Sequence, residues 1–156
     1  MYQAKISCLV GDLYVKADDK AIKDISFIKE LEITESNELI EQLEKEIEEY
    51  FLGERKKFEV PFDFEEAGTQ FQKKVWQKAL AIPYGTTITY QELAEQVGSP
   101  KAARAVGGAL GKNPVMILVP CHRILGKNGE LTGYAGSGEK GLQIKRKLIE
   151  IEADNR

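Results

Sequence analysis

Residues 113–120, Asn-Pro-Val-Met-Ile-Leu-Val-Pro, constrain this chain more than any other stretch. Proline after Asn113 forces that residue into an extended conformation and stops whatever helix precedes it. The five apolar residues between the prolines are too few for a core helix and suit a short buried strand, which Pro120 ends. Cys121 and His122 follow at once, and they are one of two cysteines and the sole histidine of 156 residues. The fold has to bury a strand and leave a thiol and an imidazole at its mouth.

The chain is long enough for a core and for one domain or two small ones. With 42% hydrophobic and 30% charged residues it has the balance of a soluble globular protein. No apolar run approaches the roughly 20 residues of a membrane span, and Met-Tyr-Gln-Ala-Lys at the start has no signal-peptide layout. A cytoplasmic protein without membrane attachment is therefore expected. Two cysteines and one histidine cannot complete a four-ligand zinc site, so no metal is expected. A Cys8–Cys121 disulfide is not expected in a reducing compartment, and Cys8, inside a predicted strand, reads as structural.

Net charge is −3, but it is unevenly spread. Residues 1–66 carry 9 Lys and Arg against 18 Asp and Glu, whereas residues 67–156 carry 13 against 7. Either only the second half faces a polyanion or the pattern is simple solvation.

"AKISCLVGDLYVKADD" reads as two strands joined at Gly11-Asp12, and "AIKDISFIKEL" as a third. Ser36 is placed to cap a helix with Leu39, Ile40, Leu43, Ile47, Tyr50 and Phe51 on one face. An α/β module over residues 1–66 follows, with a linker near 53–68 where Gly53 and Pro61 break the pattern. A second domain covers 67–156. Its first helix opens with the capping box Thr69/Gln72, and Trp76 reads as a core anchor.

Thr89 and Glu92 form another capping box for "YQELAEQV", which Gly98 ends. Ser99 as cap and Pro100 at the first helical position start "KAARAVGGAL". Two short helices across a glycine turn make a helix-turn-helix, a DNA-binding or a plain packing unit. The second helix is built of small residues, and its glycines each cost roughly 1 kcal/mol relative to alanine. Close approach to another surface would offset that. Arg104 stands in the second turn, where recognition helices reach their target.

A thiol attacks as thiolate, and an unperturbed cysteine is only slightly ionised at neutral pH. His122 is the one imidazole that could take the proton. Neighbours in an extended chain point apart, so a bridging water or a local kink is needed. An acid should hold the far side of the ring, and Glu150 and Glu152 on the terminal helix, beside the stripe Ile144, Leu148 and Ile151, are both candidates.

"PCHRI", preceded by "YGTTITYQELAEQVGSPKAARAVGGALGKNP" and followed by "GYAGS", closely resembles the O6-alkylguanine-DNA alkyltransferases, also called methylated-DNA-protein-cysteine methyltransferases. The resemblance implies an RNase-H-like N-terminal α/β module and a mainly α C-terminal helix-turn-helix (winged-helix-like) domain. It implies stoichiometric transfer of a methyl or larger alkyl group from O6-alkylguanine, and also from O4-alkylthymine, to Cys121, without a cofactor. His122 would act through water as base, Glu152 orient it, Asn113 brace the loop, and Tyr90 assist protonation of the leaving guanine. Aligning on "KRKLIEIE" selects Glu152, while a different gap after the "SGEKGLQ" insertion would select Glu150.

By the same resemblance Leu110, Met116, Ile124, Tyr134 and Ala135 line the base pocket. Met116 replaces a proline of some members, which bears on the bulk of O6 group accepted. Arg104 would fill the gap left by a flipped nucleotide, with Ala103 and Gly107 against the minor groove of double-stranded DNA; the protein would act as a monomer. Flipping is needed because the O6 carbon is inaccessible in the stack. Two other classes fit parts of the pattern: a lesion-binding protein without chemistry, whose relatives lack the cysteine, and a multiple-turnover cysteine hydrolase, which the adjacent Cys-His pair disfavours.

Overall fold

Alternation of apolar and polar residues puts Ile6, Leu13, Val15 and Ala17 in the core, and the two segments that carry them pair as strands. In the computed structural model, which describes residues 1–134 and 138–156, β1 (Tyr2–Cys8) runs antiparallel to β2 (Gly11–Ala17), with Ile6 opposite Leu13. The turn lies at Leu9-Val10 rather than at Gly11-Asp12. Gly11 is already the first residue of β2, opposite Cys8, at φ +138°. β3 (Ile22–Ser26) pairs antiparallel with β2, giving the order β1-β2-β3.

Two segments cover the outer edge of β3. Pro61 accepts from the Ile22 amide at 2.9 Å; Pro114 accepts from the Ile25 amide at 2.8 Å, and the Met116 amide returns a bond to the Ile25 carbonyl. Residues 114–116 therefore group with residues 1–64 as one unit, and residues 65–113 with 117–156 form the other. The expected strand over "VMILV" is not formed. Its five residues are buried, but Val115 makes an isolated bridge to Ile25, and Ile117 turns the chain at φ +74°. A β-branched residue there is strained and persists only because burial holds it.

α1 (Glu38–Phe51) buries Ile40, Leu43, Ile47 and Tyr50 and turns Glu38, Glu41, Glu44 and Glu48 to solvent. Its cap is Asn37, not Ser36. Asn37 Oδ1 accepts from the Ile40 amide at 3.0 Å while Nδ2 donates to the Asp18 carbonyl, tying the helix start to the β2–β3 turn, a second bond that a serine cannot make. Glu46 faces inward, where one oxygen accepts from the Glu59 and Val60 amides and the other from Gln42.

In the second unit α2 (Gln70–Leu80) starts at the Thr69/Gln72 capping box, and Trp76 Nε1 donates to the Ala109 carbonyl at 2.7 Å. β4 (Ile88–Thr89) pairs in parallel with β5 (Ile124–Leu125). α3 (Tyr90–Gln96) carries the Thr89/Glu92 capping box, and Gly98 at φ +79° leads into the turn. α4 (Ala103–Gly111) begins three residues later than expected. Ala102 stands at its cap without a side-chain bond, because Ser99 and Pro100 are used in the turn: the Ser99 carbonyl accepts from the Ala102 amide and the Pro100 carbonyl from Gln91 Nε2. α5 (Glu139–Asn155) closes the chain. The architecture is an α/β unit followed by a mainly helical one with a helix-turn-helix.

Candidate active site

After Val119 and Pro120 the chain winds into one 3-10 turn, Cys121–Arg123, instead of staying extended. Adjacent side chains on such a turn lie about 120° apart rather than on opposite sides. Cys121 is buried, and Asn113 Nδ2 donates to its Sγ at 3.3 Å and to the Val119 carbonyl at 2.9 Å. One amide thereby ties the end of α4 to the loop and to the thiol.

His122 is 0% exposed. Its Nε2 lies 2.6 Å from Glu152 Oε2, and its Nδ1 is buried with no hydrogen-bond partner among the described residues. Glu152 is buried on α5, whereas Glu150 is exposed, so of the two candidate acids only Glu152 reaches the ring. Three more donors converge on that carboxylate: Arg123 Nε at 2.8 Å and the Gly85 amide at 3.1 Å on Oε1, and Arg123 Nη2 at 3.0 Å on Oε2. Arg123 Nη1 continues to the Ile82 carbonyl at 2.7 Å. The Arg123 guanidinium thus forks the carboxylate and anchors it to the end of α2.

The protonation states follow from these surroundings. Burial pushes the Cys121 thiol above its ordinary value, and the Asn113 bond and the Lys145 charge only partly offset it. Burial drives His122 below the usual imidazole range despite Glu152. For Glu152, burial alone would raise the value, but His122 and Arg123 outweigh it and hold the carboxyl well below the ordinary range. The resting site therefore pairs a neutral thiol with a neutral imidazole and an ionised carboxylate. An ionised Glu152 accepts only, so Nε2 carries the proton and the lone pair is on Nδ1.

Tyr90 opens α3, its hydroxyl 2.6 Å from Thr132 Oγ1, and burial raises its value. Tyr134 is buried edge-on to the His122 ring, with centroids 6.4 Å apart. Leu110 and Ile124 are buried in the same unit, on α4 and β5, while Met116 pairs with Ile25 in the first unit. Ala135 lies outside the described residues. Arg104 is exposed on α4, with Ala103 and Gly107 partly exposed. A Cβ on Gly107 would meet Tyr90 at 3.8 Å and one on Gly108 would meet nothing within 4 Å, so neither glycine is required by packing inside the chain.

Sequence reasoning passed over three participants. Arg123 was visible beside His122, but its fork onto Glu152 was not. The Gly85 amide becomes a donor through the turn in which the Pro83 carbonyl accepts from the Thr86 amide. Lys145, 1% exposed, precedes Glu152 by seven residues on the buried face of α5. Its Nζ stands 5.7 Å from the Tyr90 ring centroid and 3.5 Å from the Gly133 carbonyl, and burial lowers its value to about 8. The i, i+7 spacing from Glu152 is the signal that could have found it.

Comparison with known proteins agrees over the whole chain. The ribonuclease-like domain of 6-O-methylguanine DNA methyltransferase matches residues 1–64, and the DNA binding domain of 6-O-methylguanine DNA methyltransferase matches residues 70–154. A methylated-DNA-protein-cysteine methyltransferase of Methanosarcina acetivorans is 42% identical over 159 residues, covering 97% of this chain and 98% of its own. The inducible one of Bacillus subtilis is 42% identical over 152 residues, covering 94% and 81%. The crystal structure of Mycobacterium tuberculosis OGT in complex with DNA is similar at a TM-score of 0.89 and 36% identity, covering 99% of this chain and 94% of that one. With two domain models matched in order and relatives of this identity along nearly its full length, the chain belongs to the 6-O-methylguanine DNA methyltransferase family.

Proposed function

We propose that this chain repairs DNA by moving the alkyl group of O6-alkylguanine, and of O4-alkylthymine, onto Cys121 in a single irreversible turnover. The observation that carries the reading is the buried pair on one 3-10 turn: Cys121 held by Asn113, and His122 held by Glu152. Sγ attacks the alkyl carbon in line with O6, the C–S bond forms as the C–O6 bond breaks, and the thiol proton passes through water to His122 Nδ1. The departing guanine takes up a proton with the help of Tyr90. A soft sulfur suits an sp3 carbon, and the thioether offers water no carbonyl to attack. Each molecule therefore acts once.

Duplex DNA meets the helix-turn-helix. The side of α4 that carries exposed Arg104 and partly exposed Ala103 and Gly107 is low enough in bulk for the minor groove. Arg104 occupies the space of the flipped nucleotide, and Leu110, Ile124 and Tyr134 receive the base. Residues 1–66 and 67–156 are the two domains of this reading, and the cytoplasm is its place of action. No cofactor or metal takes part.

Intact mass and peptide mapping after mixing with a duplex bearing one O6-methylguanine test the reading. One methyl, on Cys121, is expected. A folded, reduced protein that binds the lesion yet stays unmodified makes it a lesion-binding protein instead.

A further inference from the structure

β1 is an edge strand, since the sheet order places only β2 beside it. The first residues of that edge are covered: the Gln3 carbonyl accepts from the Thr34 amide at 3.0 Å, and the Gln3 amide donates to Thr34 Oγ1 at 3.1 Å. Outward backbone groups recur every second residue, so those of Lys5 and Ser7 come next. They have no hydrogen-bond partner among the described residues. An edge of this kind is a template for another strand.

A groove of about 420 Å³ flanks the open stretch, between β1 and the second half of α1. Ile6, Ile47 and Phe51 form its apolar floor, and Leu9 and Leu52 stand over it at 66% and 64% exposure. Glu44 and Glu48, one helical turn apart, rim it, and neither has an ion-pair partner among the described residues. Backbone donors and acceptors, apolar depressions for alternate side chains and an acidic rim thus lie together. That is the equipment of strand addition.

We propose that the β1 edge from Lys5 to Ser7, with its groove, takes an extended segment of a partner protein whose groove-facing residues are apolar with a Lys or Arg among them. Charge decides between occupants. A second copy would bring its own Glu44 and Glu48, on a half with twice as many acidic as basic residues, against the same rim. Nucleic acid is repelled for the same reason. A basic strand is attracted, and its ladder bonds extend the sheet where Thr34 leaves off.

Three nine-residue acetylated peptides alternating Val and Thr test this, the central groove-facing Val being kept or replaced by Lys or Glu. Titrated into the isotope-labelled full chain, the Lys peptide should saturate, shift the Lys5 and Ser7 amides most, and slow their exchange. It should bind about tenfold tighter than the Glu peptide at low salt. Glu44→Gln with Glu48→Gln, both exposed and harmless to folding, should erase that preference, and Ser7→Pro should weaken all three peptides. Absence of saturable binding by the Lys peptide, shifts centred elsewhere, or equal affinity for Lys and Glu peptides overturns the proposal. So does self-association of the protein alone that Ser7→Pro abolishes, which would make the occupant a second copy.

Discussion

The Glu152 carboxylate lies 2.6 Å from His122 Nε2, and because it already accepts from Arg123 and Gly85 it can only accept from the ring. The imidazole is thereby fixed with its lone pair on Nδ1, away from the acid and free for a proton. Glu152→Gln keeps the shape but supplies an amide donor and no charge. Transfer from a methylated duplex should slow by about 100-fold or more, the usual size of a general-base effect. Single-turnover kinetics read this directly, and a rate within threefold of the parent would remove His122 from the role of base.

Acid should destabilise the protein, in a direction set by the same pair. His122 and Glu152 are both depressed in the folded chain, from unfolded values of about 6.5 and 4.3. A depressed group contributes fully above its unfolded value, and the contribution is lost as pH falls through the folded one. Thermal midpoints should hold near neutrality and fall below about pH 6.5, more steeply below about pH 4.3. The Glu152→Gln variant should show a shallower acid limb. Parallel limbs for the two proteins would mean that other carboxylates govern acid unfolding.

On the proposed reading Arg123 acts through Glu152, which its guanidinium forks, as a positioning residue. Arg123→Lys keeps a charge but not the two-pronged fork, and Arg123→Ala loses both. Transfer should fall by roughly 10- to 100-fold in the alanine variant, the scale of outer-shell effects, with partial recovery in the lysine variant. DNA affinity measured with an unmodified duplex should be unchanged in both. Loss of affinity in parallel with rate would point to a general disturbance of the fold.

Arg104 lies exposed on α4. Arg104→Ala should slow repair in duplex DNA by about 10-fold or more, since nothing then offsets the few kcal/mol of unstacking. Transfer from free O6-methylguanine should stay at the parental rate. Equal losses on the two substrates would count against a role in flipping.

Gly68 precedes α2 at φ +67°, where a Cβ would come within 2.6 Å of the Trp76 ring. Gly68→Ala combines a left-handed backbone with a clash against a buried indole, and it should cost about 2 kcal/mol. Calorimetry would register this as a drop of several degrees in Tm. An unchanged midpoint would mean that the linker shifts without strain.

The elements most legible in the sequence were those specified by local chemistry. Both capping boxes form with the residues expected, because a threonine three positions before Gln72 or Glu92 meets its partner inside one turn. The short buried run before Cys121 misled, since five apolar residues signal burial but not a continuous ladder: Val115 makes an isolated bridge to Ile25, the Met116 amide bonds the Ile25 carbonyl, and Ile117 then turns the chain at φ +74°. Ser36 and Ser99 looked like caps for want of the Asp18 and Gln91 contacts that decide those turns. At the site, Cys121, His122 and Asn113 were readable from one contiguous stretch. Arg123 and Gly85 were not, because what they do depends on a carboxylate 29 and 67 residues further along the chain.

The short return of residues 114–116 to the edge of β3 has a consequence for anyone wishing to dissect the protein. A cut between residues 64 and 65 does not yield two self-sufficient halves. The fragment that starts at 65 takes with it the edge cover of the first sheet, and the fragment that ends at 64 exposes the Ile25 amide and carbonyl that this cover engages. The reactive cysteine comes only five residues after the crossing. Truncation experiments that seek a minimal repair unit should therefore supply both pieces together, and complementation between them would be a direct readout of that interleaved connectivity.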